Sequence, residues 1–483
     1  MSETRVPTII IAGTASGVGK TTFTLGLIAA FRARGLRVQP FKCGPDYLDP
    51  TYHTLAASLP CRNLDTWMLT PEVMTGLFTR AVAGADIAVI EGVMGLHDGR
   101  GGAGARGSTA EVAKLLRAPV LLVIDTARLS RSAGAMALGY QAFDPDVWIA
   151  GLLLNQVGTE RHRRWVTEGI QERTGIPILG HLPKQAPVKL PERHLGLVPA
   201  GEVEDVSRSL AAIREQVEAT VNVEEILALA RAAAPLPTGD RALCPERPPQ
   251  RKVRIGLARD AAFGFYYEDN LDLLRAWGAE LVAVSPLRDH ILPPDLQGLY
   301  IGGGFPELHA RELATNRSFR RQIAEAAGDG MPVYAECGGL MYLAESLVDL
   351  EGERHGMVGA VPGTSVMQRS RVRLGYVTAT AVRDSILSPA GVTLMGHEFH
   401  WSNMAPPDPR YAAYRIPEAC SELGRRDGDR LEGIVAGPAG NILASYLHLH
   451  FGSDLQLMHR FLERCRVWMR AATADAFVME GGS

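Results

Sequence analysis

The stretch Gly13-Thr14-Ala15-Ser16-Gly17-Val18-Gly19-Lys20-Thr21-Thr22 restricts the fold more than any other part of the chain. It follows the apolar run Thr8 to Ala12 and precedes Phe23 to Arg34, whose apolar residues recur at helical spacing. Strand, glycine-rich loop, Lys-Thr and helix, in that order, are the parts of a phosphate-binding loop. The glycines let backbone N–H groups turn inward around phosphate oxygens, and the helix N-terminus adds positive partial charge. Gly13, Ser16, Gly17, Gly19 and Thr22 would surround the phosphates of ATP, Lys20 would reach the outer ones, and the Thr21 hydroxyl would hold Mg²⁺. In the usual spacing the first glycine stands one position later; here position 14 is Thr and the glycine is Gly13.

Strand-like runs follow at Arg37 to Phe41, Asp86 to Ile90, Pro119 to Asp125 and Val147 to Asn155. They alternate with helical patterns, among them Ser130 to Phe143 and Glu160 to Thr174. This alternation predicts an α/β domain with a parallel, doubly wound sheet. Such sheets bind ligands beyond the carboxyl ends of their strands, so polar residues there are candidates. Lys42 to His53, with a glycine and two prolines, reads as a loop carrying Lys42, Asp46, Asp49 and His53, groups that bind metals, phosphates or carboxylates. Glu91 ends a strand facing the phosphate loop, the usual place of a second Mg²⁺ anchor. Asn155 either hydrogen-bonds the nucleotide base or forms a turn. Arg161 to Arg164 reads as a solvated helix face.

The chain has 483 residues, too many for one domain. The proline-rich segment 235–250 reads as a linker between domains at 1–234 and 251–483. In the second domain Pro332 to Glu336 leads into Cys337-Gly338-Gly339 and then a helical Leu340 to Leu343. Strand, Cys, Gly-Gly and helix predict a nucleophile elbow, the cysteine analogue of G-x-S-x-G. A helix N-terminus after the cysteine is expected to lower the thiol pKa. Backbone N–H groups near Gly304, in the run Gly302-Gly303-Gly304, and near Gly338 are the expected oxyanion donors. A thiol also needs a base. His448 and His450 lie two apart beyond the strand-like Asn441 to Leu447 and face one side of an extended segment; His448 is nearer the strand end. Gly396 to Ser402 lacks zinc spacing and reads either as a substrate contact or as a strand of an antiparallel extension.

Composition removes several classes. The net charge of −3 gives no basic footprint for nucleic acid. No apolar stretch reaches membrane-spanning length, and residues 1–5 run straight into a strand, without the pattern of a signal peptide. Six cysteines without close pairing or C-x-x-C spacing fit a reducing cytoplasm.

The chain resembles the cobyrinic acid a,c-diamide synthase family, glutamine-dependent amidases of cobalamin biosynthesis, whose aerobic counterpart acts on hydrogenobyrinic acid. The resemblance rests on Gly13 to Thr22, in a longer loop form like that of dethiobiotin synthetase, and on Gly44 to Pro50 and Glu91 to Leu96. It continues through Gly302 to Glu307, Ala335 to Gly339, Gly396 to Ser402 and Tyr446 to Phe451, and covers nearly the whole chain. It implies a dethiobiotin-synthetase-like domain joined to a triad-type glutamine amidotransferase domain. Cys337 would hydrolyse glutamine with His448 as base. ATP would phosphorylate a substrate carboxylate, and ammonia would displace the phosphate. The resemblance places Thr21, Asp46 and Glu91 around Mg²⁺ and Tyr47, Leu48, Asp49 and Asp98 beside the tetrapyrrole substrate. The wider amidotransferase pattern has Glu two residues after the base; this chain has His450 there, which leaves open what orients His448. The ring also stays open, since nickel-sirohydrochlorin a,c-diamide synthases share these motifs. The Gly44 to Tyr47 loop and the His448-Leu449-His450 ending argue against a cobyric acid synthase. A partner-binding P-loop switch ATPase would leave Cys337 idle. A homodimer is compatible with the sequence.

Overall fold

The computed structural model describes residues 3–101, 104–184, 192–193, 196–197, 205–237, 243–245, 249, 252–370, 372–405, 407–417, 419–420, 426–427 and 429–480. The chain forms two compact units, Met1–Arg241 and Ala242–Ser483. Most of the segment 235–250 read as a linker lies outside the described residues.

Among the described residues the main sheet of the first unit has seven strands: β1 (Thr8–Gly13), β2 (Val38–Cys43), β3 (Arg62–Leu64), β4 (Ile87–Glu91), β5 (Val120–Asp125), β6 (Ile149–Val157) and β7 (Ile178–Pro183). They pair in the order β3-β2-β4-β1-β5-β6-β7, every pair parallel. All six residues of β1 are buried, as expected of a strand covered by helices on both faces. The chain leaves β1 through α1 (Lys20–Ala33) toward β2, then crosses back from β4 through α4 (Thr109–Leu116) to β5 on the other side of β1. That reversal opens a crevice at the carboxyl ends of β4, β1 and β5, the ligand position in such sheets. Ser108 accepts the Glu111 N–H at 3.1 Å and caps α4, as its residue type favours. Helix α1 packs closely on α7 (Val206–Thr220): a Cβ on Gly26 would lie 2.3 Å from Val217 Cγ2.

One segment differs from the sequence reading. Asp49–Ala57 is a helix, α2, where Lys42 to His53 reads as a loop. Pro50 sits in its first turn, where a proline costs no hydrogen bond. The Asp46 carboxylate accepts the N–H groups of Leu48 (2.8 Å) and Asp49 (3.3 Å), satisfying donors that start the helix.

The second unit holds a ten-stranded mixed sheet. Its parallel half comprises β8 (Val253–Ala258), β9 (Ala279–Val284), β10 (Gly298–Ile301), β11 (Val333–Glu336) and, through an intervening set of strands in sequence, β16 (Ile442–Ser445). The intervening strands β12 (Arg373–Ala381), β13 (Thr393–His400), β14 (Ala412–Ile416) and β15 (Arg430–Ala436) extend it antiparallel. The order is β9-β8-β10-β11-β16-β15-β14-β12-β13-β17, where β17 is His448–Leu449. The strand expected from Asn441 to Leu447 is shorter, Ile442–Ser445. β16 ends at Ser445, and β17 joins the far edge of the sheet, pairing His397 with His448. Because β16 and β17 are almost adjacent in sequence, the antiparallel extension curls back to the carboxyl ends of the parallel strands. Gly396 to His400 is therefore a strand of that extension. Among the described residues no helix is long and apolar enough to cross a membrane.

Candidate active site

The phosphate loop has the backbone that its glycines allow: Gly17 and Gly19 take φ of 77° and 100°. Helix α1 begins directly at Lys20, three residues before the expected Phe23. Tyr140 donates its hydroxyl to the Thr14 carbonyl at 2.7 Å and pins the longer form of the loop. The Lys20 ammonium donates to the carbonyls of Ala15 (3.0 Å) and Met94 (2.6 Å) and so lies along the loop. Burial first, and the Lys42 charge second, lower its pKa to about 8. Asn155 stands near the end of β6, beside the phosphate loop. Its Nδ2 donates to the Val18 carbonyl at 2.8 Å, a contact that braces the phosphate loop from the end of β6.

Beside the loop lies a buried charged cluster. Lys42, 3 % exposed at the end of β2, contacts Glu91 (2.8 Å), Asp49 and Asp46 (3.7 Å). His53 Nε2 is 2.7 Å from Glu91 Oε2, and Thr21 Oγ1 donates to Glu91 Oε1 at 2.8 Å. Burial opposes charge on Glu91, yet Lys42 and His53 hold its carboxyl well below the usual range. Burial likewise opposes the Lys42 ammonium, and Asp49, Glu91 and Asp46 outweigh it. Thr21 and Glu91 adjoin, a hydroxyl and an ionised carboxylate that together could hold a divalent cation. Asp46 does not share that position: its oxygens cap α2 and face Lys42. Of the residues expected beside the substrate, Tyr47 and Leu48 are buried, Asp49 pairs with Lys42, and Asp98 accepts the Gly95 N–H at 2.9 Å and shapes the Met94 to Asp98 turn. Lys42 as the hub and His53 as a Glu91 partner exceed what spacing revealed, because their convergence depends on strand order.

In the second unit Cys337 stands between β11 and the short helix Gly338–Leu343 with φ 49° and ψ −104°, a strained conformation for a side-chain-bearing residue and the mark of a nucleophile elbow. Its N–H donates to the Ser445 carbonyl at 2.7 Å, which fixes the elbow to β16. A Cβ on Gly338 would lie 3.0 Å from the Gly304 nitrogen, so the two expected oxyanion-donor segments adjoin. Gly304 has no room for a side chain either: its Cβ would lie 2.0 Å from the Ala262 oxygen.

The thiol differs from expectation. Burial, followed by the Glu307 charge, pushes the Cys337 pKa up, and the opposing Gly338 N–H is too little. The short helix, six residues, does not compensate for a site from which water is nearly excluded. His448 is buried with its Nδ1 3.5 Å from Glu336 Oε2, and the His397 ring stacks on it at 4.8 Å. A Cβ on Gly303 would lie 2.8 Å from His448 Cε1, so the bare backbone there lets the imidazole approach. His450 is turned elsewhere: its Nδ1 accepts the Gly452 N–H at 3.0 Å, and its Nε2 is 3.9 Å from Asp269. Burial lowers its pKa to about 3.

Residues 9–198 match a family described as CobQ/CobB/MinD/ParA nucleotide binding domain, and residues 254–456 match the CobB/CobQ-like glutamine amidotransferase domain. Fold and sites thus define a glutamine-dependent ligase, with a P-loop nucleotide-binding domain and an amidotransferase domain in one chain. Over 94 % of its length the chain is 46 % identical to cobyrinate a,c-diamide synthase of Dehalococcoides mccartyi (strain CBDB1), covering 97 % of that protein. It is 43 % identical over 95 % of its length to the Salmonella typhimurium cobyrinate a,c-diamide synthase, covering 98 % of it. Identity to the Streptomyces coelicolor hydrogenobyrinate a,c-diamide synthase is 42 % over 96 % of the chain and 99 % of that protein. The chain belongs to the cobyrinate and hydrogenobyrinate a,c-diamide synthase family.

Proposed function

We propose that the chain converts the a and c carboxylates of cobyrinic or hydrogenobyrinic acid to amides, using ATP and glutamine, in cobalamin biosynthesis. The observation that carries this reading is the strained Cys337 elbow beside Gly304, in a chain whose other unit presents Lys20 and Thr21 on a phosphate loop. Residues 1–234 would act as the ligase and 251–483 as the glutaminase.

A carboxylate does not react with ammonia until its oxygen becomes a leaving group. In the ligase unit a substrate carboxylate oxygen attacks the γ-phosphorus of ATP, ADP departs, and an acyl phosphate forms. Lys20 would reach the phosphates, and Thr21 and Glu91 would hold Mg²⁺, which would supply positive charge for the transferring phosphoryl group. Lys42, with Asp46 and Asp49, would place the substrate carboxylate. Ammonia then attacks the acyl carbon and phosphate leaves. In the glutaminase unit Cys337 rests as a thiol, since burial disfavours the thiolate. Attack on the glutamine carboxamide is therefore coupled to transfer of the Sγ proton to His448. That proton passes to the leaving nitrogen, ammonia is released, and water hydrolyses the thioester to glutamate. The backbone N–H groups at Gly304 and Gly338 would bind the oxyanion. Because the resting thiol is neutral, His448→Ala is expected to retain little glutaminase. A cytoplasmic location follows from this role.

The test is Cys337→Ala, assayed with ATP and a panel of tetrapyrrole acids: cobalt-containing, metal-free and nickel-containing. Amidation should vanish with glutamine and persist with high ammonium. Glutamine use by the variant would refute the cysteine route, and ammonium-driven amidation of the nickel ring alone would reassign the substrate.

A further inference from the structure

Amidotransferase imidazoles need a group that sets their tautomer and orientation, as histidine bases of cysteine and serine hydrolases do. The position two residues after His448 does not supply an acid here, and His450 caps the Phe451–Ser453 turn instead. Resting on the glutaminase reading above, we propose that Glu336, the residue directly before the nucleophile, is the carboxylate that positions His448.

Glu336 ends β11, and its register partner is Ser445 at the end of β16, three residues before His448. It is 1 % exposed, and its Oε2 lies 3.5 Å from His448 Nδ1. The rest of the carboxylate is held by fixed donors. Tyr300 donates its hydroxyl to Oε2 at 3.2 Å, Tyr334 donates to Oε1, and the Leu449 N–H donates to Oε1 at 3.2 Å. The two tyrosine rings stack at 4.9 Å, and Tyr266 meets Tyr300 edge-on at 5.1 Å, so the donors cannot swing away. Burial, and then Glu336 itself, push both phenol pKa values well above the ordinary value, so the phenols stay donors.

A carboxylate this well supplied with donors, 3.5 Å from His448 Nδ1, is the group placed to accept a hydrogen bond from that nitrogen as the ring aligns. It holds the proton on Nδ1 and leaves Nε2 as the basic nitrogen. With His397 stacked on the ring and the Gly303 backbone against Cε1, rotation about the ring axis is the freedom left for Glu336 to fix. When His448 takes the thiol proton, Glu336 faces the imidazolium and stabilises its charge. The acid has moved from two residues after the base to one residue before the nucleophile, and strand pairing returns it to the same imidazole.

The test uses the full chain and four readouts: steady-state glutaminase, its pH profile, ammonium-driven amidation and thermal melting. Glu336→Gln should lower glutaminase kcat at least about a hundredfold, as loss of the orienting acid does in related triads. Ammonium-driven amidation should stay within twofold. Without the carboxylate the imidazolium is less stable, so the acidic limb of kcat/KM should move to lower pH. Glu336→Asp should recover part of the rate, and Glu336→Gln should add nothing further on a His448→Ala background. Wild-type glutaminase in Glu336→Gln, or additive losses in that double variant, would overturn the proposal. If Glu336→Gln does not fold, Glu336→Asp decides: loss of at least about tenfold with an altered pH profile supports it, and an unaltered rate overturns it. Cys337→Ala separates the two readings, because its retention of glutaminase would defeat the cysteine route itself.

Discussion

Replacing Lys42 with methionine removes a cation that Glu91, Asp49 and Asp46 share, while nearly keeping its volume. Lys42 is 3 % exposed and Glu91 is fully buried, so water does not screen the loss. Breaking a buried ion pair from one side costs about 3–5 kcal/mol. In a domain of this size each kcal/mol moves the melting point by about 2–4 °C, which places the drop in the first unit's transition between about 6 and 20 °C. The double variant Lys42→Met/Asp49→Asn should recover part of that loss, since Glu91 keeps His53 and Asp49 no longer carries charge. Neither variant should recover amidation. Glu91 is held below its ordinary pKa of 4.5, so its stabilisation is complete above that value and is lost as pH falls. Without Lys42 the folded pKa rises, that contribution shrinks, and unfolding on acidification should begin at higher pH. Calorimetry from about pH 2 to about pH 8, with ammonium-driven amidation on the same samples near neutral pH, reads both effects. Unchanged melting in Lys42→Met, or full amidation, would refute the view of this cluster as a coupled unit.

Two further outcomes follow from the sites. Since Lys20 has a pKa of about 8 without nucleotide, triphosphate binding that favours its ammonium should take up protons above that pH. Titration calorimetry in buffers of different ionisation heat measures the uptake, and its equal size in Lys20→Met would assign it elsewhere. Gly304→Ala forces a Cβ to 2.0 Å from the Ala262 oxygen, so the adjoining N–H must shift. Glutaminase should fall about a hundredfold or more with ammonium-driven amidation preserved, and normal glutaminase would remove Gly304 from the oxyanion site.

The sequence alone carried the features that are local in the chain. A glycine-rich loop between an apolar strand and a helix, and a cysteine between a strand and two glycines, need only neighbouring residues to be recognised. Lys20, Thr21, Cys337 and the alternation behind the parallel sheet were legible for that reason. Helix α2 was also within reach, because a proline in a first turn starts a helix as readily as it makes a loop. Tertiary structure decided which distant residues meet, and how much water reaches them. It gathers Lys42, His53 and Glu91 from β2, α2 and β4, and it turns Asn155 onto the phosphate loop. The curled sheet lays His397 on His448, and the pairing of β11 with β16 brings Glu336 to the same ring. Burial, which no spacing encodes, reverses the expected shift of the Cys337 thiol, because charge in a dry site costs more than a short helix returns.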